Sequence, residues 1–348
     1  MRLLIVEDSA LYRQMIRNIL RDAPGIAIVG IARNGLEAIE KIEELDPDVL
    51  TLDVQMPELD GIGVLREINR RGLRTKAIML SSLTAEGAQV TTDALLEGAF
   101  DFILKPSGRD SDQNRAALFD SLTEKIGALR DAERGTRPRK QKIPPRSDTD
   151  DAPAECRAVI IGVSTGGPPA LKRILPMLPA SFPVPILVVQ HMPAQYTGAL
   201  ARRLNDVSEL EVCEAEDGME AKAGSVLIAP GGRQMGLVVK GKRIRASLND
   251  GPPENGVRPS VDHLLRSAAE TLHGGVLAVI LTGMGRDGLE GARLVKSKGG
   301  RVFAQHPHGC TVYGMPKVVI EDGIADRVLP LGRVGPGVVS HVQNVRAR

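Results

Sequence analysis

The sequence predicts an α/β protein: a (βα)5 doubly wound parallel sheet, then a second α/β domain with a mostly parallel sheet and a β-hairpin. Three observations predict it. Short aliphatic runs alternate with segments of helical hydrophobic period along most of the chain. The 348 residues fit about two domains at ~150 residues each. A stretch rich in proline and charge divides the two halves. Hydrophobic residues are 42% and charged residues 25% of the chain, near the globular average, which excludes a disordered chain.

In the first half, Leu3 to Val6 is a short aliphatic run ending in acids, and Ala10 to Asp22 reads as a helix. Ile26 to Ala32 is strand-like and Leu36 to Leu45 helical. Val49 to Leu52 ends at Asp53, and Gly61 to Arg71 is helical. Ala77 to Leu80 is strand-like, Gly87 to Glu97 helical, and Phe100 to Leu104 a fifth strand. Asp112 to Arg134 carries Leu118, Leu122, Ile126 and Leu129 at helical spacing. Five such units imply a parallel sheet covered on both faces.

Residues 132–155 read as a linker between domains at 1–131 and 156–348. Arg137, Arg139, Lys140, Lys142 and Arg146 run without an acid, and Pro138, Pro144, Pro145 and Pro153 break regular structure. Basic linkers without aromatics are solvated chain rather than an RNA patch.

The second half resumes the alternation. Val159 to Val163 is a strand, Pro169 to Leu175 a helix, Ile186 to Val189 a strand and Thr197 to Asn205 a helix. A hairpin-rich stretch is expected over about 211 to 248. Then come helix Ser260 to His273, strand Val276 to Leu281, helix Leu289 to Ser297 and strand Arg301 to Ala304.

Composition excludes several functions. Lys plus Arg number 45 and Asp plus Glu 43, a net charge of +2, so a whole-chain footprint for nucleic acid is absent. Five Phe, three Tyr and no Trp leave no base-stacking platform or aromatic sugar-binding surface. The longest apolar run, Val276 to Leu281, falls far short of the ~20 residues of a membrane helix. Glu7 and Asp8 interrupt the first apolar run too early for a signal peptide. Cys156, Cys213 and Cys310 fit neither a disulfide framework nor a zinc spacing. A soluble cytoplasmic protein without membrane insertion is expected.

In an open parallel sheet, functional groups collect at the carboxyl ends of the strands. Glu7 and Asp8 end the first strand, Asp53 the third, Ser81 the fourth and Lys105 the fifth. Clustered carboxylates raise one another's pKa unless a cation joins them, and a hard divalent ion such as Mg²⁺ suits oxygen ligands. With a cation and Lys105 present, the Asp53 carboxylate could attack a phosphoryl donor. Together, EDSALYR, LDVQMPELDG, MLSS and FILKP resemble the receiver domain of two-component response regulators, over about residues 1 to 107 plus the following helix. The resemblance implies phosphorylation of Asp53 by a histidine kinase. It also implies Mg²⁺ at Glu7, Asp8, Asp53 and the Gln55 backbone carbonyl, with Lys105 on the phosphoryl group. Ser81 and Phe102 match the family's hydroxyl and aromatic switch positions, although Phe102 also reads as a plain core residue. Glu7 stands where the family more often has Asp.

In the second half, AVIIGVSTGGPPALKRIL reads as strand, glycine-rich turn and helix. Pro168 and Pro169 follow the last glycine where a phosphate loop needs Lys then Ser or Thr, and G-x-G-x-x-G is missing. What fits is G-x-S-x-G, Gly162 to Gly166, the elbow that exposes a serine beside a helix N-terminus. A nucleophilic serine needs a base and a group that orients the base. His191 ends the strand at Ile186 to Val189, and Asp287 lies just beyond Val276 to Leu281, which brings Ser164, His191 and Asp287 to one rim. His263 and His273 sit in a helix pattern, whereas His306 and His308 remain rivals for the base. The order Ser164, His191, Asp287 is not that of the α/β-hydrolases, which run Ser, acid, His.

The motifs IGVSTGGPPAL, VVQHMP, DGPPENGVRPSVDHL, VILTGMGRDG and YGMP resemble the catalytic domain of the chemotaxis protein-glutamate methylesterases, the CheB family, over about 157 to 317. The resemblance implies hydrolysis of γ-glutamyl methyl esters on methylated chemoreceptors and deamidation of receptor glutamines, with no cofactor for the hydrolysis. It implies Ser164 as nucleophile, His191 as general base and Asp287 as orienting acid. It further implies that Thr165 helps hold His191 and makes the backbone around Met284 a candidate oxyanion donor. QHPHGC, before TVYGMP, matches no motif. A DNA-binding output would need a smaller helix-turn-helix module; a serine hydrolase or scaffold outside chemotaxis is the remaining alternative. The two-domain architecture predicts that the receiver restrains the Ser164 rim until Asp53 is phosphorylated.

Overall fold

The five aliphatic runs of the first half become five parallel strands. In the computed structural model the described residues are 1–82, 84–106, 111–135 and 155–346. The chain divides into two compact units, Met1–Arg134 and Gly135–Arg348. Residues 136–154, most of the expected linker, lie outside the described residues.

The first unit runs β1 (Arg2–Val6), α1 (Ala10–Leu20), β2 (Ala27–Ala32), α2 (Gly35–Leu45), β3 (Val49–Asp53), α3 (Gly61–Arg71), β4 (Lys76–Ser81), α4 (Ala85–Leu96), β5 (Asp101–Leu104) and α5 (Ser111–Gly135). The strand order is β2-β1-β3-β4-β5 and all pairs are parallel. Leu3, Leu4, Ile5 and Val6 are fully buried, as strands covered on both faces must be. Ser9, Asn34, Asp60 and Thr84 cap the N-termini of α1 to α4 with side-chain oxygens, so each helix starts soon after a strand ends. The order reverses at β1, and a crevice opens there between the carboxyl ends of β1 and β3.

The second unit begins β6 (Ala158–Val163), α6 (Gly167–Ile174), a 3₁₀ turn (Leu175–Met177), β7 (Ile186–Gln190) and α7 (Ala194–Asn205). It continues β8 (Glu211–Glu214), β9 (Glu220–Ala221), β10 (Ser225–Ile228), β11 (Gln234–Lys240), β12 (Arg243–Asn249) and α8 (Val261–Leu272). It ends β13 (Val276–Ile280), α9 (Leu289–Ser297), β14 (Arg301–Gln305), α10 (Met315–Glu321), β15 (Arg327–Leu329) and α11 (Leu331–Arg346). Seven strands form one sheet in the order β15-β14-β13-β6-β7-β10-β8, parallel throughout. A small antiparallel sheet, β11-β12-β9, holds the hairpin.

The stretch expected to be rich in hairpins is divided between the two sheets. Ser225–Ile228 is buried along its whole length and pairs in parallel with β7 and β8. Only β11, β12 and the short β9 are antiparallel. β11 is an edge strand. Its Leu237 N–H donates to Ser267 Oγ of α8 at 2.8 Å, and its carbonyl accepts from Ser267 Oγ and Thr271 Oγ1, each at 3.3 Å. Among the described residues no helix is long and apolar enough to cross a membrane.

Candidate active site and phosphorylation pocket

In the first unit, Glu7 and Asp8 follow β1 and Asp53 ends β3. One oxygen from each of these carboxylates lies within 4.8 Å of the others. Lys105 Nζ reaches Asp53 Oδ2 at 2.7 Å and Glu7 Oε1 and Oε2 at 3.0 and 2.8 Å, and stands 4.8 Å from the Tyr12 ring centroid. Burial, and next the Asp53 charge, push the Glu7 carboxyl up to about 7 against the pull of Lys105. Burial opposes the Lys105 charge, yet Asp53 and Glu7 outweigh it and raise that amine above its ordinary range. Glu7 Oε2 is buried with no aligned hydrogen-bond donor. One lysine among three acids leaves a pocket of oxygen ligands with negative charge to spare, which fits a hard divalent cation.

Gln55 lies in the loop after β3, and no backbone donor among the described residues takes its carbonyl. Ser81 is buried, its Oγ accepting from Thr91 Oγ1 of α4 at 2.6 Å. Phe102 is buried on β5 opposite Met79.

In the second unit the centre of the sheet builds the other site. Val163 pairs with Gln190 in the β6–β7 register, so Ser164 and His191 are the next residues on two neighbouring strands. His191 N–H donates to Val163 O at 3.2 Å, and Ser164 N–H donates to Thr282 O, just past β13, at 3.0 Å. The turn closes with Gly167 N–H on Ser164 O at 2.8 Å. Gly166 takes φ 77° where the turn enters α6, the left-handed region that favours glycine. Gln190 Nε2 donates to Ser164 O at 3.0 Å and to His191 O at 3.3 Å, tying the two strand ends together.

His191 Nε2 meets Asp287 Oδ2 at 2.8 Å. Asp287 lies at the N-terminus of α8. Its Oδ2 also accepts from Val261 N–H at 2.7 Å, and its Oδ1 from Ser260 Oγ at 2.8 Å, Asp262 N–H at 3.0 Å, Asn255 Nδ2 at 3.0 Å and Gly288 N–H at 3.1 Å. Burial raises its pKa, but the hydrogen bond and charge of His191 and the amides of Val261 and Asp262 outweigh that and hold the carboxyl below its ordinary range. Asp287 engages Nε2, so Nδ1 is the ring nitrogen turned from that carboxylate.

The loop after β13 crosses the serine. Gly283 N–H donates to Val312 O at 3.1 Å, and its carbonyl accepts from Gly314 and Met315 N–H. The next N–H, of Met284, takes no backbone acceptor among the described residues. Thr165 is buried, and its carbonyl accepts from Thr282 Oγ1 at 2.9 Å. The rival His306 stacks on His308 with ring centroids 5.4 Å apart, and no carboxylate pairs with it among the described residues. Cys310, whose thiol burial pushes up to about 12, donates to the His306 carbonyl.

The sequence alone assigns no role to Asn255, Ser260 or Gln190. Asn255-Gly256 is a turn signal for left-handed backbone, and Ser260 precedes a helical run, as N-caps do. Both signals are readable, but their convergence on Asp287 is not local.

A receiver pocket in one unit and a Ser, His and Asp set at one rim of a parallel sheet in the other define a response regulator with an α/β output domain. The model for the response regulator receiver domain matches residues 3–116, and that for CheB methylesterase matches residues 159–338. The chain belongs to the CheB methylesterase family. It is 46% identical over 333 residues to a protein-glutamate methylesterase/protein-glutamine glutaminase of Thermotoga maritima, covering 96% of each chain. It is 40% identical over 360 residues to the protein of that name from Desulfotalea psychrophila, covering 99% of each. The crystal structure of the Thermotoga maritima CheB methylesterase catalytic domain is 49% identical with a TM-score of 0.53, covering 54% of this chain and 99% of that one.

Proposed function

We propose that this chain is a phosphorylation-activated protein-glutamate methylesterase and protein-glutamine glutaminase. It hydrolyses glutamyl methyl esters on chemoreceptors, releasing methanol, and deamidates receptor glutamines, giving adaptation in chemotaxis-type signalling. Family membership supports the activity. The single observation that carries the site assignment is the His191 Nε2 to Asp287 Oδ2 hydrogen bond of 2.8 Å beside the Ser164 turn.

In this reading Ser164 Oγ attacks the ester carbonyl carbon while His191 Nδ1 takes its proton. Asp287 holds the ring tautomer and stabilises the imidazolium, and Thr165 helps hold His191. The Met284 N–H faces the tetrahedral oxyanion, a donor of a kind worth ~3 kcal/mol. Collapse breaks the C–O bond, and methanol leaves with the proton from His191. Water then attacks the acyl-Ser164 ester with His191 again as base, freeing the glutamate. With a glutamine substrate, ammonia leaves in place of methanol. These steps use side chains, a backbone amide and water.

In the receiver, Asp53 would accept a phosphoryl group from a chemotaxis histidine kinase, and Lys105 would pair with its oxygens. Glu7, Asp8, Asp53 and the Gln55 carbonyl would hold Mg²⁺, which when bound supplies charge neutralisation for phosphoryl transfer. Ser81 and Phe102 would report the phosphorylated state. The expected partners are methylated chemoreceptors and the kinase, with no nucleic acid.

The test is methanol release from methylated receptor membranes, with Mg²⁺ and acetyl phosphate added or withheld. Release is expected to rise with the phosphodonor, to vanish in Ser164→Ala and to lose its stimulation in Asp53→Ala. Undiminished release by Ser164→Ala would overturn the assignment of the nucleophile.

A further inference from the structure

We propose that Asn255 is a positioning residue for the hydrolysis, acting through Asp287 by keeping that carboxylate from sharing a proton with Asp262. The proposal rests on the Ser164, His191, Asp287 reading. Asn255 sits at φ 52°, in the left-handed region that Asn tolerates better than most residues. From there its Nδ2 donates to Asp262 Oδ2 at 2.9 Å and to Asp287 Oδ1 at 3.0 Å. Both carboxylates are 3% exposed. Two acids this close and this buried would tend to ionise singly, with one proton between them. A neutral amide carrying two N–H bonds can satisfy both as anions and adds no charge.

The surroundings push the pair apart. Burial, and with it the Asp287 charge, raise the Asp262 carboxyl despite the Gly291 amide on its Oδ1 at 2.7 Å. Asp287 is held low by His191, just past β7, and by the amides opening α8. Arg266, one turn further along α8, adds a positive charge that Asp262 feels. If Asp287 gained the proton instead, its pull on the His191 imidazolium would be lost at the step that forms it.

The loop that carries Asn255 has its own anchor. Glu254 accepts from Arg266 Nη2 at 2.5 Å and pairs with His263 Nδ1 at 2.8 Å. The carboxamide is thus held between the acids by contacts outside the Ser164 rim.

The experiment is the pH–rate profile of methanol release by the full-length protein with Mg²⁺ and acetyl phosphate. Wild type, Ser164→Ala, Asn255→Gly and Asn255→Asp are compared, each with a thermal melt. Asn255→Gly keeps the left-handed backbone accessible and removes the amide. We expect kcat to fall on the order of 10- to 100-fold, KM to hold and the acid limb to move to higher pH, with the melting midpoint lowered by the two lost hydrogen bonds but the protein still folded at the assay temperature. Asn255→Asp is expected to lose more at pH 8 than at pH 6, because only its protonated form has a donor. An acid limb and kcat as in wild type for Asn255→Gly, or a pH-independent loss in Asn255→Asp, would overturn the proposal. Full activity in Ser164→Ala would instead overturn the reading beneath it.

Discussion

Gly283 and Ser164 lie so close that a Cβ on the glycine would stand 2.7 Å from the serine Cβ. The same atom would also run into Met315 Sδ, so neither side offers room. Gly283→Ala must therefore displace the loop that carries Met284 or the turn that carries Ser164. The expected outcome is a loss of kcat of about 10²-fold, with about 1–3 kcal/mol of destabilisation from overpacking. Steady-state methanol release and chemical denaturation measure the two. Wild-type rates in Gly283→Ala would mean the loop yields without moving the site.

Asp287→Asn tests the charge with little change of shape. The carboxylate accepts from His191, Val261, Ser260, Asp262, Asn255 and Gly288, all donors. A carboxamide must turn its NH₂ toward some of them, so stability falls along with activity. We expect on the order of 10³- to 10⁴-fold in kcat and about 1–3 kcal/mol in unfolding free energy. Retained activity with a normal pH profile would remove Asp287 from the mechanism.

Chelation separates the two sites. EDTA is expected to abolish stimulation by acetyl phosphate while leaving unstimulated methanol release unchanged, because only the carboxylates of Glu7, Asp8 and Asp53 cluster for a cation among the described residues. A fragment from about residue 153 onward is expected to exceed the unphosphorylated full chain in activity. Equal rates would dismiss restraint by the receiver.

His341 gives the C-terminal helix a pH dependence. Burial, followed by the charges of Arg301 and Arg327, lowers its pKa, and its ring packs edge-on to Phe303 with centroids 5.6 Å apart. The folded state thus favours the neutral imidazole. As pH falls through about 6.5, the unfolded chain takes up a proton that the folded chain resists. This contribution to stability is fully present above that range and is lost toward the depressed folded pKa. Melts of the second unit's transition from pH 7.5 to 5.5 are expected to decline, and less so in His341→Leu. Parallel declines would place the acid sensitivity elsewhere.

The strands that carry the sites were legible because each is an aliphatic run closed by a polar residue: Val6 before Glu7, Leu52 before Asp53, Val163 before Ser164. Their order in the sheets was less so. Glu211–Glu214 has one buried residue among exposed and half-exposed neighbours, so its pattern resembles a hairpin arm although it edges the large sheet. α11 contains Pro336 and several glycines, which argue against a helix locally. Burial of Val334, Val338 and Val342, spaced four apart, overrides that preference. The place of Asn255 is not legible locally, because its partners, Asp262 and Asp287, are brought together only when α8 and the loop after β13 meet.

The hydroxyls of Ser267 and Thr271 occupy the outward-facing backbone groups of Leu237 on β11. An open strand edge is a template on which another chain can polymerise. Here α8 occupies that template at Leu237 from within the same chain, and its first turn binds Asp287. A mutation that loosened this helix would therefore tend to convert lost enzyme into aggregate, joining catalytic failure to insolubility.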